Sequence, residues 1–397
     1  MRAADAAGRG DYRAAVALLT ECRALARTPY EMGVMSAELG TALFRANQLN
    51  EARKWLEQAL DVWVSKHEGF ARYAQTSIML AEVYRCLGQY EKAEQILRQV
   101  LSRAPSAATA VPADNEAHAL ALADLADMMR EVGRSAQSRS LLNAANGLPG
   151  VSWRRQLDAT LGLAELDRDT RNWEESIAEW NRVAAMSQEH NEPVLEAIAH
   201  RGLGETWLDR GNAARAEPLL RNALRSFEKD ETANGRQIAF TLTALGQLYA
   251  GQDKLSLAEE ALSKALAIDE KELGESHPQV AAILEVRGDT RSRMNQTELA
   301  RHDLDRAIRI LSNTFGDQSA TCAAALATLG VIEQRARNFA RAAQIYEQSL
   351  AAFVRTGPEV AGFRLAVMRR YAEVLKAAHR KREAGAVMAQ IKSFGAQ

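Results

Sequence analysis

The chain has 397 residues with 50 basic and 51 acidic side chains, a net charge of −1, and only 8 prolines. Balanced charge lacks the clustered basic excess of a nucleic-acid surface, so no nucleic-acid partner is expected. No apolar run approaches the ~18 residues of a membrane span, and residues 1–20 have no continuous apolar stretch of the signal-peptide kind.

The chain opens on what reads as part of a helical unit, with Ala3 and then Ala15, Leu19 and Cys22 at spacings that recur further on. Arg2 to Ala7 look like the remains of a helix, so a leader or another domain is expected upstream. Cytoplasmic is the default compartment, with export after loss of a leader as the alternative. Cys22 falls in a small-residue column and is expected in the core. Next come Gly40, Ala81, Ala126 and Ala164 in one small-residue column and Ala52, Ala93, Ser138 and Ser176 in a second, followed by Leu56, Leu97, Leu142 and Trp180 in a large apolar one. Two interruptions fall in this half. Residues 102–114 form a connector rich in Pro and Ala, and Gly147-Leu-Pro-Gly150 cuts a helix short, so irregular junctions are expected at 102–114 and 147–151.

From residue 204 the spacing becomes fixed. Gly204, Gly246, Gly288, Gly330 and Ala372 stand 42 residues apart. Twelve residues after each come Ala216, Ala258, Ala300, Ala342 and Ala384, and four further on come Leu220, Leu262, Leu304, Tyr346 and Met388. A constant period of this length means stacked units. Apolar residues three and four apart, such as Leu203, Trp207 and Leu208, make one helical face. Turn formers near Gly88, Gly211 and Gly251 then divide each unit into helix A, a short turn and helix B. Small residues let the two helices approach where they cross, and large apolar ones fill the space beside them. Trp173, Trp180 and Trp207 fall in these interhelical columns, as core. Arg287 and Arg291 stand in two columns where other copies carry Leu245 and Tyr249, Glu333 and Asp167 match the second of them, and looser packing or snorkelling is expected there.

These columns resemble the tetratricopeptide repeat (TPR). Residues 265–281, with Gly274 stopping one helix and His277-Pro278 starting the next, resemble its longer-period, kinesin-light-chain type. Phe315-Gly316-Asp317 and Gly357-Pro358-Glu359-Val360 are weaker echoes. The resemblance implies an all-α, right-handed superhelical solenoid of about ten repeats, the first incomplete, spanning 1–397 as one domain with helix A on the inner face.

Little in the chain points to catalysis. Seven histidines show no metal-ligand spacing, three cysteines include no Cys-x-x-Cys pair, and Gly202-Leu-Gly204 lies within a helix with no strand before it. No catalytic residue, metal or cofactor is expected, and the chain is not expected to be an enzyme. The resemblance implies instead a scaffold binding a partner protein or peptide on its inner surface. The alternative is a sensor module that relays a bound signal to a flanking effector domain. After the first small column comes a frequent acid (Glu82, Asp127, Glu165, Glu205, Asp289, Glu373), a ladder suited to a basic or amide-rich strand. Arg85, Arg130, Arg168, Arg293 and Lys376 follow on the same helices, which favours local pairing. Kinesin-light-chain arrays hold a peptide backbone with paired asparagines. The matching positions here are Thr243-Ala244, Glu285-Val286 and Ala327-Thr328, so that clamp is missing. The candidate partner-binding residues are Glu165, Arg201, Glu205, Phe240, Thr243, Gln247, Glu285, Asp289 and Arg293, with Phe240 as the groove aromatic. The last helix carries Val387, Met388, Ile391 and Phe394 with no later repeat to cover it, so self-association through it is a further expectation.

Overall fold

The computed structural model describes residues 6, 12–46, 48–66, 69–87, 89–106, 110–353 and 361–394. Gly88, Pro358, Ala3 and the Phe394 side chain, all named above, lie outside the described structure. Nineteen α-helices and a short 3-10 turn, Glu228–Asp230, make up the regular structure, with no strand among the described residues. Tyr12–Leu25 is a single helix B. The other eighteen form nine A/B pairs, from Pro29–Arg45 with Leu49–Lys66 to Ala361–Ala377 with Lys381–Phe394. Ala6 is helical and buried beside Ala15 and Ala42, where the sequence places the remnant of the first helix A.

Within a pair the packing follows from the columns. A Cβ built on Gly204 would lie 2.7 Å from Leu220 Cγ, one on Gly246 2.6 Å from Leu262 Cγ, and one on Gly330 2.7 Å from Tyr346 Cε1. At these crossings helix B presses its large apolar residue onto the bare backbone of helix A, and a Cβ there would force that residue to shift. Ala216, Ala258, Ala300 and Ala342 are fully buried at the same crossings. The long period appears as long second helices: Leu255–Leu273 and Thr297–Phe315 have 19 residues each, whereas Ser135–Asn146, cut short before Pro149, has 12.

The A–B turns close in one way. The Lys254 amide donates to the Tyr249 carbonyl at 2.9 Å, and the Gln296 amide to Arg291 and the Asn338 amide to Glu333 at the same length. Such a closure needs a left-handed residue just before the donor. Gly211 supplies it at φ 86°, but Asp253, Asn295, Arg337 and His379 adopt φ of 60–62° in the same role. Gly251 ends its helix and does not form the turn's left-handed corner. Between pairs, Gly274 (φ 89°) stops one helix. His277 starts the next, its Nδ1 accepting the Gln279 amide at 3.1 Å.

The chain divides into two compact units, Met1–Met186 and Ser187–Gln397, and the junctions at 102–114 and 147–151 lie inside the first. The first is cored by residues such as Leu56, Trp63, Leu97 and Leu125. The second has one cluster around Phe227, Leu262 and Ile283 and another around Tyr346, Phe353 and Leu375. In both units, helices A pack on their own helix B and on the helix B before them, as Pro278–Arg293 does on Thr297–Phe315 and Leu255–Leu273.

Two expectations need correction. Cys22 is exposed: it shares a face with the buried Ala15 but lies two turns later, near the end of Tyr12–Leu25, where residues 20–22, 24 and 25 are all exposed. The charged residues in the two apolar columns do not snorkel to water but pair inside the array. Arg287 and Arg291 both pair with the fully buried Asp303, at 2.7 and 2.8 Å, and Arg291 also reaches Glu259 at 2.7 Å. Glu333, also fully buried, is held by Arg301 at 2.7 Å and Arg341 at 3.1 Å, and the buried Asp167 by Arg139. Each of these buried charges thus meets a partner from a facing helix, the condition for keeping ions in an interior. Trp180 is core as expected, whereas Trp207 is half-buried with the Arg215 guanidinium 4.4 Å from its ring centroid.

Candidate partner-binding groove

In the first unit the acidic column is laced by arginines. Arg85 pairs with Glu82 on its own helix at 2.8 Å, then with Asp127 at 2.9 Å and Glu131 at 3.3 Å on the next helix A. One repeat later Arg130 pairs with Asp127 at 2.7 Å, Glu165 at 3.1 Å and Asp169 at 2.8 Å. The local pairs expected from the sequence are present. The bridges to the following repeat arise because neighbouring helices A lie side by side and a guanidinium carries five N–H donors. Glu165 thus belongs to an arginine-bridged wall. Asp124, in the same wall, is pushed up to about 7, first by burial and then by Glu82, with Arg85 and Arg155 acting in the opposite direction.

The other eight candidates lie in the second unit. Arg201 holds Glu205 at 2.6 Å and places its guanidinium 5.6 Å from the Phe240 ring centroid, with that of Arg236 5.5 Å away. These candidates form a cluster whose charges and aromatic surface are already occupied by one another. The Thr243 hydroxyl donates to the Ala239 carbonyl at 2.8 Å, and Gln247 is exposed. Arg293 donates to the Ala250 carbonyl at 2.8 Å and pairs with Asp253 at 2.9 Å, so it fastens the end of the preceding helix A.

Glu285 and Asp289 differ from these. They stand on one wall of a groove of about 450 Å³ built by three consecutive helices A, Pro278–Arg293, Ala320–Arg335 and Ala361–Ala377. Val286 joins them from the first helix. Ala327, Thr328, Val331 and Arg335 form the middle, and Phe363, Ala366, Val367 and Arg370 the far side. The floor is therefore aliphatic and aromatic. Phe363 remains 46% exposed despite an edge-to-face contact with Phe353 at 5.6 Å. Asp289 is paired with Arg335 at 2.6 Å, and the Tyr346 hydroxyl donates to Gln334 at 3.1 Å. Among the described residues no hydrogen bond or ion pair joins Glu285, and burial alone pushes its carboxyl up to about 7. A half-buried acid without a cation, beside uncovered apolar surface, is an incomplete site.

A second groove of the same unit, about 510 Å³, lies between Ala213–Phe227, Glu231–Gly251 and Leu255–Leu273. It is larger, but its polar groups serve each other. Arg221 donates to the Tyr249 hydroxyl at 3.0 Å, and Lys264 pairs with Glu260 at 2.7 Å. The smaller groove is the better candidate, because it alone of the two holds an acid with no partner among the described residues.

Of the lining residues outside the candidate list, several follow from the period. Adding 42 to Glu285, Asp289 and Arg293 gives Ala327, Val331 and Arg335, and adding it twice to Val286 gives Arg370. Phe363 falls where the preceding copies carry Gln279 and Thr321, so nothing in the column marks an aromatic there.

The tetratricopeptide repeat family model matches residues 31–106, 195–271, 237–311 and 279–353, more than half of the chain. The last three matches start 42 residues apart. Among solved structures, a Rap protein complexed with competence and sporulation factor is similar over 92% of this chain and 98% of its own, with TM-score 0.60 and 10% identity. BtubC (BKLC) from P. vanneervenii is similar over 56% of this chain and 91% of its own, with TM-score 0.51 and 21% identity. Kinesin light chain repeats from Podosopora anserina align over 51% of this chain and 96% of theirs, at 20% identity and TM-score 0.43. No curated protein matches the sequence. No helix among the described residues is long and apolar enough to cross a membrane.

Proposed function

The chain belongs to the tetratricopeptide-repeat family, and from that premise we propose a non-catalytic interaction scaffold that takes a segment of a partner protein in the groove over Pro278–Arg293, Ala320–Arg335 and Ala361–Ala377. One observation carries the reading: three successive helices A enclose about 450 Å³ with an apolar floor, and the partly exposed Phe363 lies there beside the Glu285 acid. That volume is within the ~300–1,000 Å³ of ligand sites. Glu285-Val286 and Ala327-Thr328, which line it, also match the asparagine positions of kinesin-light-chain arrays. Without asparagines the segment is held by side-chain pockets more than by its backbone. The direct test is a random dodecapeptide phage library panned on the full chain. Selected peptides lose binding to Ala366→Arg, which fills the groove from an exposed position. Selection that is indifferent to this change sinks the reading.

The sensor alternative has one supporting observation, the Rap protein with competence and sporulation factor that is similar over 92% of this chain. An effector domain encoded beside this array would favour it. Self-association through the last helix stays a proposal in its own right. Met388 is 36% exposed there, and a single monomer mass in light scattering at all concentrations removes the idea.

A further inference from the structure

Resting on the groove reading above, we infer that the partner segment carries a lysine or arginine that pairs with Glu285, next to an apolar side chain seated on Val331 and Phe363. Charge complementarity gives the cation. Glu82, Asp127, Glu165, Glu205 and Asp289 each meet an arginine of this chain at 2.6–3.1 Å. Glu285, one turn before Asp289 on the same helix, meets none among the described residues. Arg335, the cation of the groove, is taken by Asp289 at 2.6 Å and also reaches Ser292 at 3.4 Å. Arg370, on the far side, does not act on Glu285, for which burial is the single cause of its shift. The groove thus has one acid to satisfy, and neither of its lining arginines acts on it. Burial without compensation, which disfavours the charged carboxylate here, is what an incoming ammonium or guanidinium reverses. The apolar neighbour follows from the floor: Val286, Val331 and Val367 with the exposed Phe363 reward an aliphatic or aromatic side chain, and rigid apolar anchors carry most of the energy at such sites.

The test uses dodecapeptides selected on the full chain. The selected set is expected to share a basic residue at a fixed offset from an apolar one. Changing that lysine or arginine to methionine should weaken binding to the native chain about tenfold, the size of one charge-assisted contact. The same peptide change should make less than about a twofold difference on Glu285→Gln, since the partner charge is gone. Glu285→Lys should reverse the preference toward acidic peptides. Peptides that need the groove, as judged by Ala366→Arg, yet show no basic position overturn the cation and leave the groove standing. An equal methionine penalty on the native chain and on Glu285→Gln does the same. Peptides indifferent to Ala366→Arg remove the groove, and this inference with it. Coincident thermal melts of native chain, Ala366→Arg and Glu285→Gln at pH 4 exclude misfolding as the cause.

Discussion

Asp124 in the first unit and Glu285 in the second both have carboxyls pushed up to about 7, yet they stand in opposite surroundings. Asp124 sits in a wall where Arg85 and Arg130 each bridge three carboxylates, and Glu82 and Asp127 add their repulsion to its burial. Glu285 sits at a groove where burial is the single cause and no arginine acts on it. A crowded, self-neutralised acidic wall stabilises the array. An isolated acid beside uncovered apolar surface is stability forgone, and binding is the natural way to recover it. The contrast is one between structural and functional use of acids on helix A.

The largest expected effect breaks the wall. Arg130→Met leaves Asp127, Glu165 and Asp169 facing one another without their shared cation, and should destabilise the chain by about 2 kcal/mol in urea melts. Arg335→Met removes a single, more exposed pair and should cost under about 1 kcal/mol. Equal losses would mean that the two regions do not differ in the way described.

A smaller effect comes from pH. The Glu285 carboxyl is raised from 4.5 to about 7, so the folded chain favours the protonated form. Its contribution is full below pH 4.5 and is lost as pH rises through 7. Glu285→Gln mimics the protonated acid. It should therefore melt about 2–4 °C above the native chain at pH 8, the equivalent of ~1 kcal/mol in a unit of this size, and level with it at pH 4. A lower melting temperature at pH 8 would show that Glu285 already has a stabilising partner. The smallest effect sharpens the boundary of the site. Glu205→Lys should change peptide binding less than about twofold, because Arg201, Glu205 and Phe240 form a closed cluster away from the residues lining the groove. A larger loss would extend the site to that cluster.

Much of the fold was legible because a helix crossing leaves a fixed imprint: glycine on one helix, a large apolar residue sixteen positions later, and the same again after 42. The turns were less so. Asp253, Asn295, Arg337 and His379 take left-handed backbone without being glycine, since the closing hydrogen bond and not the residue type sets that conformation. The charged core positions were seen, but their partners were not. Asp303 lies twelve and sixteen residues from Arg291 and Arg287, a relation set by packing and not by either helix alone. At the groove, Asp289 follows from the acidic column and Glu285 from the position that matches the asparagines of kinesin-light-chain arrays. Phe363 was missed because no column predicts it, and Phe240 was chosen without knowing that Arg201 and Arg236 occupy its ring.

The central claim is that the partner lies on the helix-A groove and not on the larger groove around Tyr249 and Leu257. The most direct measurement places a photo-crosslinking benzoylphenylalanine at Thr328 or, separately, at the exposed Leu257, in the full chain. Each variant is irradiated with a groove-selected peptide and the adduct located by mass spectrometry. The account predicts an adduct from Thr328, none from Leu257, and its loss on adding excess unlabelled peptide. An adduct from Leu257 with none from Thr328 would contradict it.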